Sequence, residues 1–238
     1  MGNALEEMEY PGRGLGIGAT KLGEIFVAYF ITGRSNSSKN RKIEREGAKV
    51  YTEPILPDPT MDPEIYFYDA MLWHGGVVAV SNGRQTNQTF TDPLCGNRSL
   101  DQTMADWNYE PDKLHTPRIF GRVIIPPGEY RDAKATIGIV RPGEENPVTK
   151  VPETVRKSWP VELEPGAVIV LTTYQGDSKD VRPSVVYLPE IKVESTSVDA
   201  LCAEFGSMLD HEIAVCSAAL LVKKSGDIHF DRMNYQGI

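Results

Sequence analysis

Two clusters of polar side chains in this sequence have the types and spacing to do chemistry. The first is the run GRSNSSKNRKI at 33–43, where Arg34 and Arg41 are separated by short hydroxyl and amide side chains. Two such guanidinium groups can grip a phosphate bidentately while Ser35 or Ser38 and backbone amides complete its oxygen shell. On composition alone the same run reads equally well as an exposed, solvated basic loop. The second is NYEPDKLHTPR at 108–118, punctuated by Pro111 and Pro117 and dense in donors and acceptors. It groups Glu110, His115 and Arg118 as candidates for proton transfer or orientation of a polar substrate. Tyr68 and Tyr174 offer phenolic hydroxyls, with satisfied core tyrosines as the plainer reading. Asn82 and Gly83 offer an amide and an open backbone, or simply a turn.

Other chemistries find no support. YPGRGLGIG at 10–18 has glycines at 12, 14, 16 and 18, but acidic residues precede it and a strand follows. A dinucleotide-binding turn needs a strand before and a helix after, so that amides converge on pyrophosphate. The motif reads instead as a glycine-rich strand that lets neighbouring backbone approach closely. No G-x-S-x-G elbow, Walker loop or H-E-x-x-H occurs. Cys95, Cys202 and Cys216 are not in C-x-x-C spacing, and His74, His115, His211 and His229 are scattered, so no metal site is expected.

The elements that must position these residues are mostly strands. EIFVAYFIT at 24–32 is β-branched and aromatic, as a largely buried strand is, and the 33–43 run after it reads as a loop. Prolines 54, 57, 59 and 63 mark a connection, and order resumes at Ile65–Leu72. GGVVAVSNGR at 75–84 reads as a buried strand entering a turn, where Asn82-Gly83 suits the left-handed geometry of a hairpin. Leu100–Tyr109 suits a helix, Pro117 leads into a strand, and Ala135–Val140 and Ala167–Thr173 are further strands. Val198, Leu201, Phe205 and Leu209 repeat at steps of three and four, predicting a helix over Ser197–Leu209 that Asp210–Val222 extends or follows. Such an order gives a sandwich without strict β-α-β alternation.

Size and charge bound the rest. The 238 residues, 40% hydrophobic, can bury a full core, and the absence of a composition break predicts one domain over 1–238. The formal charge of -8 gives no general attraction to nucleic acid or anionic membrane, so any phosphate must be held locally. No apolar stretch approaches the roughly 20 residues of a membrane span, and the acidic opening is unlike a secretory signal, which makes the cytoplasm the expected location.

The segments YPGRGLGIG, FVAYFITGRSNSSKNR, VVAVSNGRQTN, YEPDKLHTPRI and VLTTYQG, in this order from Tyr10 to about Gly176, resemble the archaeal-type inosine monophosphate (IMP) cyclohydrolase family. That resemblance implies an α+β fold, a four-layer αββα sandwich of two stacked antiparallel sheets between helices, as in the N-terminal nucleophile hydrolases. It implies closure of 5-formamidoimidazole-4-carboxamide ribotide (FAICAR) to IMP and water in purine biosynthesis, without metal or organic cofactor. Its partner would be the purine ribotide, its assembly a homo-oligomer, with a tetramer suggested. Those hydrolases attack with a Cys, Ser or Thr at the chain start, but here Tyr10 and Pro11 open the first matching segment, so nucleophilic processing is not implied.

By the resemblance, Tyr68, Asn82 and Glu110 surround the base and formamide as the catalytic set. Arg34, Ser35 and Arg41 anchor the phosphate, and Gly83, Arg118 and Tyr174 complete the binding surface. A carboxylate such as Glu110 can orient the amide or relay its proton, and a hydroxyl such as that of Tyr68 can donate to the formyl oxygen. The chain departs from the archaeal pattern in an acidic lead-in, a wider Arg34–Arg41 spacing, and IIPPGEYRD at 124–132, which reads as an insertion. The alternative function is a non-catalytic purine-nucleotide binding or sensing protein of the same fold; an amidohydrolase on another amide is weaker, lacking a terminal nucleophile.

Overall fold

The computed structural model describes residue 5 and residues 8–175, 179–184 and 188–236; Gly176, at the end of the VLTTYQG segment, lies outside them. Two strands at the start set the pattern. In β1 (Arg13–Ala19) and β2 (Ile25–Thr32) every residue is buried. Ile25, Val27, Tyr29 and Ile31 face one apolar layer, and Phe26, Ala28 and Phe30 face another. A strand covered on both sides needs this near-continuous apolar sequence.

The chain continues through α1 (Asn36–Lys39), β3 (Arg41–Glu46), β4 (Lys49–Pro54), α2 (Pro63–Tyr66), β5 (Asp69–His74) and β6 (Val77–Ser81). Next come α3 (Gln85–Cys95), α4 (Leu100–Ala105), β7 (Arg118–Ile124), β8 (Lys134–Glu145) and β9 (Pro152–Val161). It ends with β10 (Ala167–Thr172), β11 (Tyr174–Gln175), β12 (Arg182–Pro183), β13 (Glu190–Lys192), α5 (Val198–Ser207), β14 (Ala214–Val222) and β15 (Ile228–Asn234).

Among the described residues these strands form a six-stranded sheet ordered β13-β10-β1-β2-β14-β15 and a seven-stranded sheet ordered β3-β4-β5-β6-β7-β8-β9, with β11-β12 as a small separate pair. Pairing within both sheets is antiparallel. The sheets face each other across a core that takes Leu15, Ile17, Val27 and Tyr29 from the first and Val78, Val80, Ile119 and Ile137 from the second. On the outer face of the first sheet, Leu201 and Phe205 of α5 cover Phe26 and Phe30. On the outer face of the second, Leu100 and Met104 of α4 cover Phe120 and Val140. The architecture is an α+β sandwich of two antiparallel sheets with helices outside.

β1 shows why YPGRGLGIG is glycine-rich. Arg13, Leu15 and Ile17 point between the sheets, while a side chain at Gly14 would collide with the Phe30 ring and one at Gly18 with the backbone of Ala167. The strand reading, with close approach of neighbours, is what the fold contains.

Three sequence expectations are corrected. Asp210–Val222 is not helical cover: Ala214–Val222 is a fully buried strand between β2 and β15. Its alanines and leucines favour a helix locally, but pairing on both edges overrides that preference. Asn82-Gly83 does not form a hairpin; it opens α3, and neither residue is among those with positive φ. The 33–43 loop contains the one-turn helix α1, capped by the Ser35 side chain, and passes directly into β3. In the 124–132 segment, the Tyr130 hydroxyl accepts from Ile25 N (2.6 Å) and donates to Val222 O (2.7 Å), closing the far end of the sandwich.

Candidate active site

At the end of the sandwich where β1 begins and β2 ends lies a cleft of about 410 Å³. Its walls come from residues 10–13, the end of β2, α1, α2, the loop before β7, and Tyr174. The 10–13 segment is clipped in place by backbone bonds. Thr32 N donates to Gly12 O (2.7 Å), Tyr174 N to Pro11 O (3.2 Å) and Thr173 N to Arg13 O (2.8 Å). Gly12, with φ 73°, must be glycine, because a Cβ there would meet Thr173 Oγ1 and the Tyr174 ring at about 2.5 Å.

This clip sends Arg13 between the sheets, on the same face of β1 as Leu15 and Ile17. Its Nη1 and Nη2 donate to Glu110 Oε1 (3.1 Å) and Oε2 (2.9 Å), and Nη1 also donates to the carbonyl of Asn82 (3.3 Å). Arg13 is 8% exposed and Glu110 2%, so both charges depend on each other for solvation. Burial by itself would ease the proton off Arg13. Glu110, with the hydroxyls of Tyr68 and Tyr29, outweighs burial and holds the guanidinium's pKa well above its ordinary value. The cleft therefore contains a permanent, rigidly forked cation beside a carboxylate.

Behind the pair is a fully satisfied polar frame. Asn82 is completely buried. Its Nδ2 donates to Pro117 O (2.9 Å), and its Oδ1 accepts from Ile119 N (2.8 Å) and Gln85 Nε2 (2.9 Å). Arg118 Nη1 donates to Gln85 Oε1 (3.0 Å) and stands 3.8 Å from Glu110 Oε1, while its guanidinium lies 5.1 Å from the centroid of Trp107. Burial, only partly offset by Glu110, draws the Arg118 pKa down. Gly83 leaves room for this packing: a Cβ would press on Gln85 Oε1 and Arg118 Nη1.

A second cationic region lies at the exposed side of the cleft. Arg34 is exposed, and its guanidinium sits 4.5 Å from the centroid of the Tyr10 ring. Arg41 is buried, donates through Nε to Ser38 O (3.0 Å), and lies 5.3 Å from the centroid of Tyr66. Ser35 Oγ accepts from Ser38 N (3.1 Å) and pairs with Ser38 Oγ (2.8 Å). Stacking on aromatic faces holds both arginines in defined orientations.

Between these regions stands Tyr174. Its ring stacks on Tyr10 (centroids 5.9 Å apart, 19° between planes), and its hydroxyl is hydrogen-bonded to Thr116 Oγ1. Burial pushes the phenol up to about 12, so it is a neutral hydrogen-bonding group at physiological pH. Thr116 is in turn bonded to both oxygens of Asp112.

The cleft thus brings together Arg34, Ser35, Arg41, Glu110 and Tyr174 of the residues singled out from sequence. Asn82, Gly83 and Arg118 form the frame behind it rather than its lining. Tyr68 lies in the core between the sheets, its hydroxyl 2.7 Å from that of Tyr29. His115 has φ 49° and packs against the Tyr109 ring, off the cleft. The residue that sequence reasoning missed is Arg13. It alternates in register with Leu15 and Ile17, so a charge with core parity in a short strand was the available signal. Among the described residues no group of three or more His, Cys, Asp or Glu side chains is placed to hold a metal ion, and no helix is long and apolar enough to cross a membrane.

Residues 10–226 match a family model described as IMP cyclohydrolase-like protein. That span takes in the cleft-lining residues and all but the last strand of the sandwich. No curated protein matches the chain.

Proposed function

The chain belongs to the IMP cyclohydrolase-like family, and from that premise we propose that it is an IMP cyclohydrolase, closing FAICAR to IMP in purine biosynthesis. The observation that carries this reading is the Arg13–Glu110 pair lining the same cleft as Arg34 and Arg41. A ribotide has a dianionic phosphate at one end and a weakly electrophilic formamide at the other, and the cleft offers cations for both, Arg34 with Arg41 and Arg13 beside Glu110.

In the reaction the carboxamide nitrogen bonds to the formyl carbon and gives a carbinolamine. The C–O bond then breaks, the former formamide nitrogen gives up its proton, and water leaves as the ring C=N bond forms. The chemistry calls for proximity, removal of a proton from a weakly acidic amide, and stabilisation of an oxygen gaining negative charge.

Arg34, with Arg41 and the hydroxyls of Ser35 and Ser38, would hold the phosphate. Arg13 would donate to the formyl oxygen as its charge grows, a task that needs a fixed cation rather than a mobile one. Each Glu110 oxygen accepts one bond from Arg13 and keeps a further lone pair, with which it would take the amide proton. Tyr68 would act from behind, its hydroxyl paired with that of Tyr29 between the sheets, and Asn82 by holding in place its own carbonyl, which accepts from Arg13. We read the layered sandwich as the N-terminal nucleophile hydrolase fold, the chain as one domain, and the assembly as a homo-oligomer in the cytoplasm.

The test is chromatographic detection of IMP from FAICAR with purified protein, run beside Arg34→Ala. Formation of IMP that the substitution weakens at low substrate supports the reading. Nucleotide binding with no IMP formed would favour the non-catalytic alternative.

A further inference from the structure

Counting protons along one hydrogen-bond chain gives the polarity of the cleft wall. Asp112 Oδ1 accepts from Thr116 N (2.8 Å), and Asp112 Oδ2 accepts from Thr116 Oγ1. A carboxylate only accepts, so the single hydroxyl proton of Thr116 is committed to Asp112. The bond between Thr116 Oγ1 and the Tyr174 hydroxyl therefore takes its proton from Tyr174. With that proton spent on Thr116, the phenol oxygen has only lone pairs left to offer, and Asp112, Thr116 and Tyr174 all line the cleft.

We propose that Tyr174 reads the ligand as a hydrogen-bond acceptor, selecting a base whose reacting edge carries an N–H, and that Asp112 and Thr116 are positioning residues that set this polarity. The inference rests on the ribotide reading above and deepens it. The carboxamide nitrogen of FAICAR carries two hydrogens. One is lost on ring closure; the other remains as the N1–H of IMP. Tyr174 accepts the hydrogen that remains, so its contact is equal in substrate, transition state and product and governs affinity rather than turnover.

Asp112→Asn removes the constraint that fixes this direction and lets the chain reverse with almost no change of shape. Thr116 N is a fixed donor, so the new side-chain oxygen must face it, and the new amide nitrogen must face Thr116 Oγ1. Thr116 Oγ1 then accepts from that nitrogen, and its own proton, no longer held by Asp112, is free to go to Tyr174, which frees the Tyr174 proton for the cleft.

The experiment compares calorimetric affinities for IMP and for purine riboside 5′-monophosphate, whose N1 is a lone pair, in the wild-type protein and in Asp112→Asn. Removing a negative charge changes both affinities alike and cancels in their ratio. The wild-type protein is expected to favour IMP by about tenfold or more, since an acceptor facing an acceptor leaves both unsatisfied. Asp112→Asn is expected to reduce that preference by about tenfold, and Tyr174→Phe to remove discrimination at N1. Should Asp112→Asn fail to fold, Thr116→Val removes the acceptor of the Tyr174 proton and predicts the same direction. A preference unchanged within about twofold, the scatter of additive sites, overturns the inference while leaving IMP binding intact. Absence of binding by either nucleotide to the wild-type protein overturns the ribotide reading and this one together.

Discussion

Arg13 Nη2 lies 2.9 Å from Glu110 Oε2, and the parallel bond from Nη1 to Oε1 makes the contact a fork between β1 of one sheet and the loop that enters β7 of the other. The two residues are 97 positions apart in sequence. The ion pair therefore spans the gap between the sheets at the end where the cleft opens, and it couples the integrity of that end to the charge of the site.

Removing one partner leaves the other buried and uncompensated. Glu110→Ala should destabilise the protein by about 3–5 kcal/mol, whereas Glu110→Gln, which keeps one acceptor, should cost less. Urea denaturation of the two variants checks this, and equal midpoints for Glu110→Ala and the wild-type protein would contradict it.

Arg34 is exposed and contributes through charge and its stacked orientation on Tyr10. Arg34→Ala should leave stability near that of the wild-type protein and raise KM by about 10- to 100-fold, the loss of a charge-assisted bond to phosphate. Steady-state kinetics with thermal melts separates the two effects.

Asn82 serves three buried partners at once. Asn82→Ala removes the side-chain partner of Ile119 N and Pro117 O and leaves Gln85 Nε2 with its bond to Ile119 O alone, so the expected loss is at least about 2 kcal/mol. Activity per folded molecule should fall less than for a change at Arg13. A turnover loss as deep as that of Arg13 with wild-type stability would make Asn82 catalytic instead.

Tyr174 gives a pH signature. Burial raises its phenol from 10.0 to about 12 in the folded protein. The folded state holds the proton more tightly, so this contribution is complete below about pH 10 and is lost as pH rises toward 12, amounting to roughly 2–3 kcal/mol. Wild-type stability should therefore fall more steeply across that window than that of Tyr174→Phe. Parallel curves would show that Tyr174 titrates alike in both states.

Much of this was legible in the residues. Apolar, β-branched runs marked β2, β6, β8 and β10, and the repeat of Val198, Leu201, Phe205 and Leu209 at steps of three and four marked α5. β14 was not legible, because alanine and leucine carry no strand signal until β2 and β15 are beside them. α3 was hidden by a polar sequence, QTNQTFTDPLC, with proline inside it. Arg34, Arg41 and Glu110 stood out in polar loops and Tyr174 entered through the family resemblance, whereas Arg13 was masked by its glycines. The frame role of Asn82 and the placement of Tyr68 against Tyr29 depend on contacts between distant segments, which no local pattern encodes.

The most direct test of the account is the kinetic effect of Arg13→Lys on conversion of FAICAR to IMP. Lysine keeps the charge but not the fork that holds it against Glu110. The predicted result is a fall in kcat of about 10²–10³-fold with KM changed far less. Turnover at the wild-type rate, or a loss confined to KM, would contradict Arg13 as the group that stabilises the formyl oxygen.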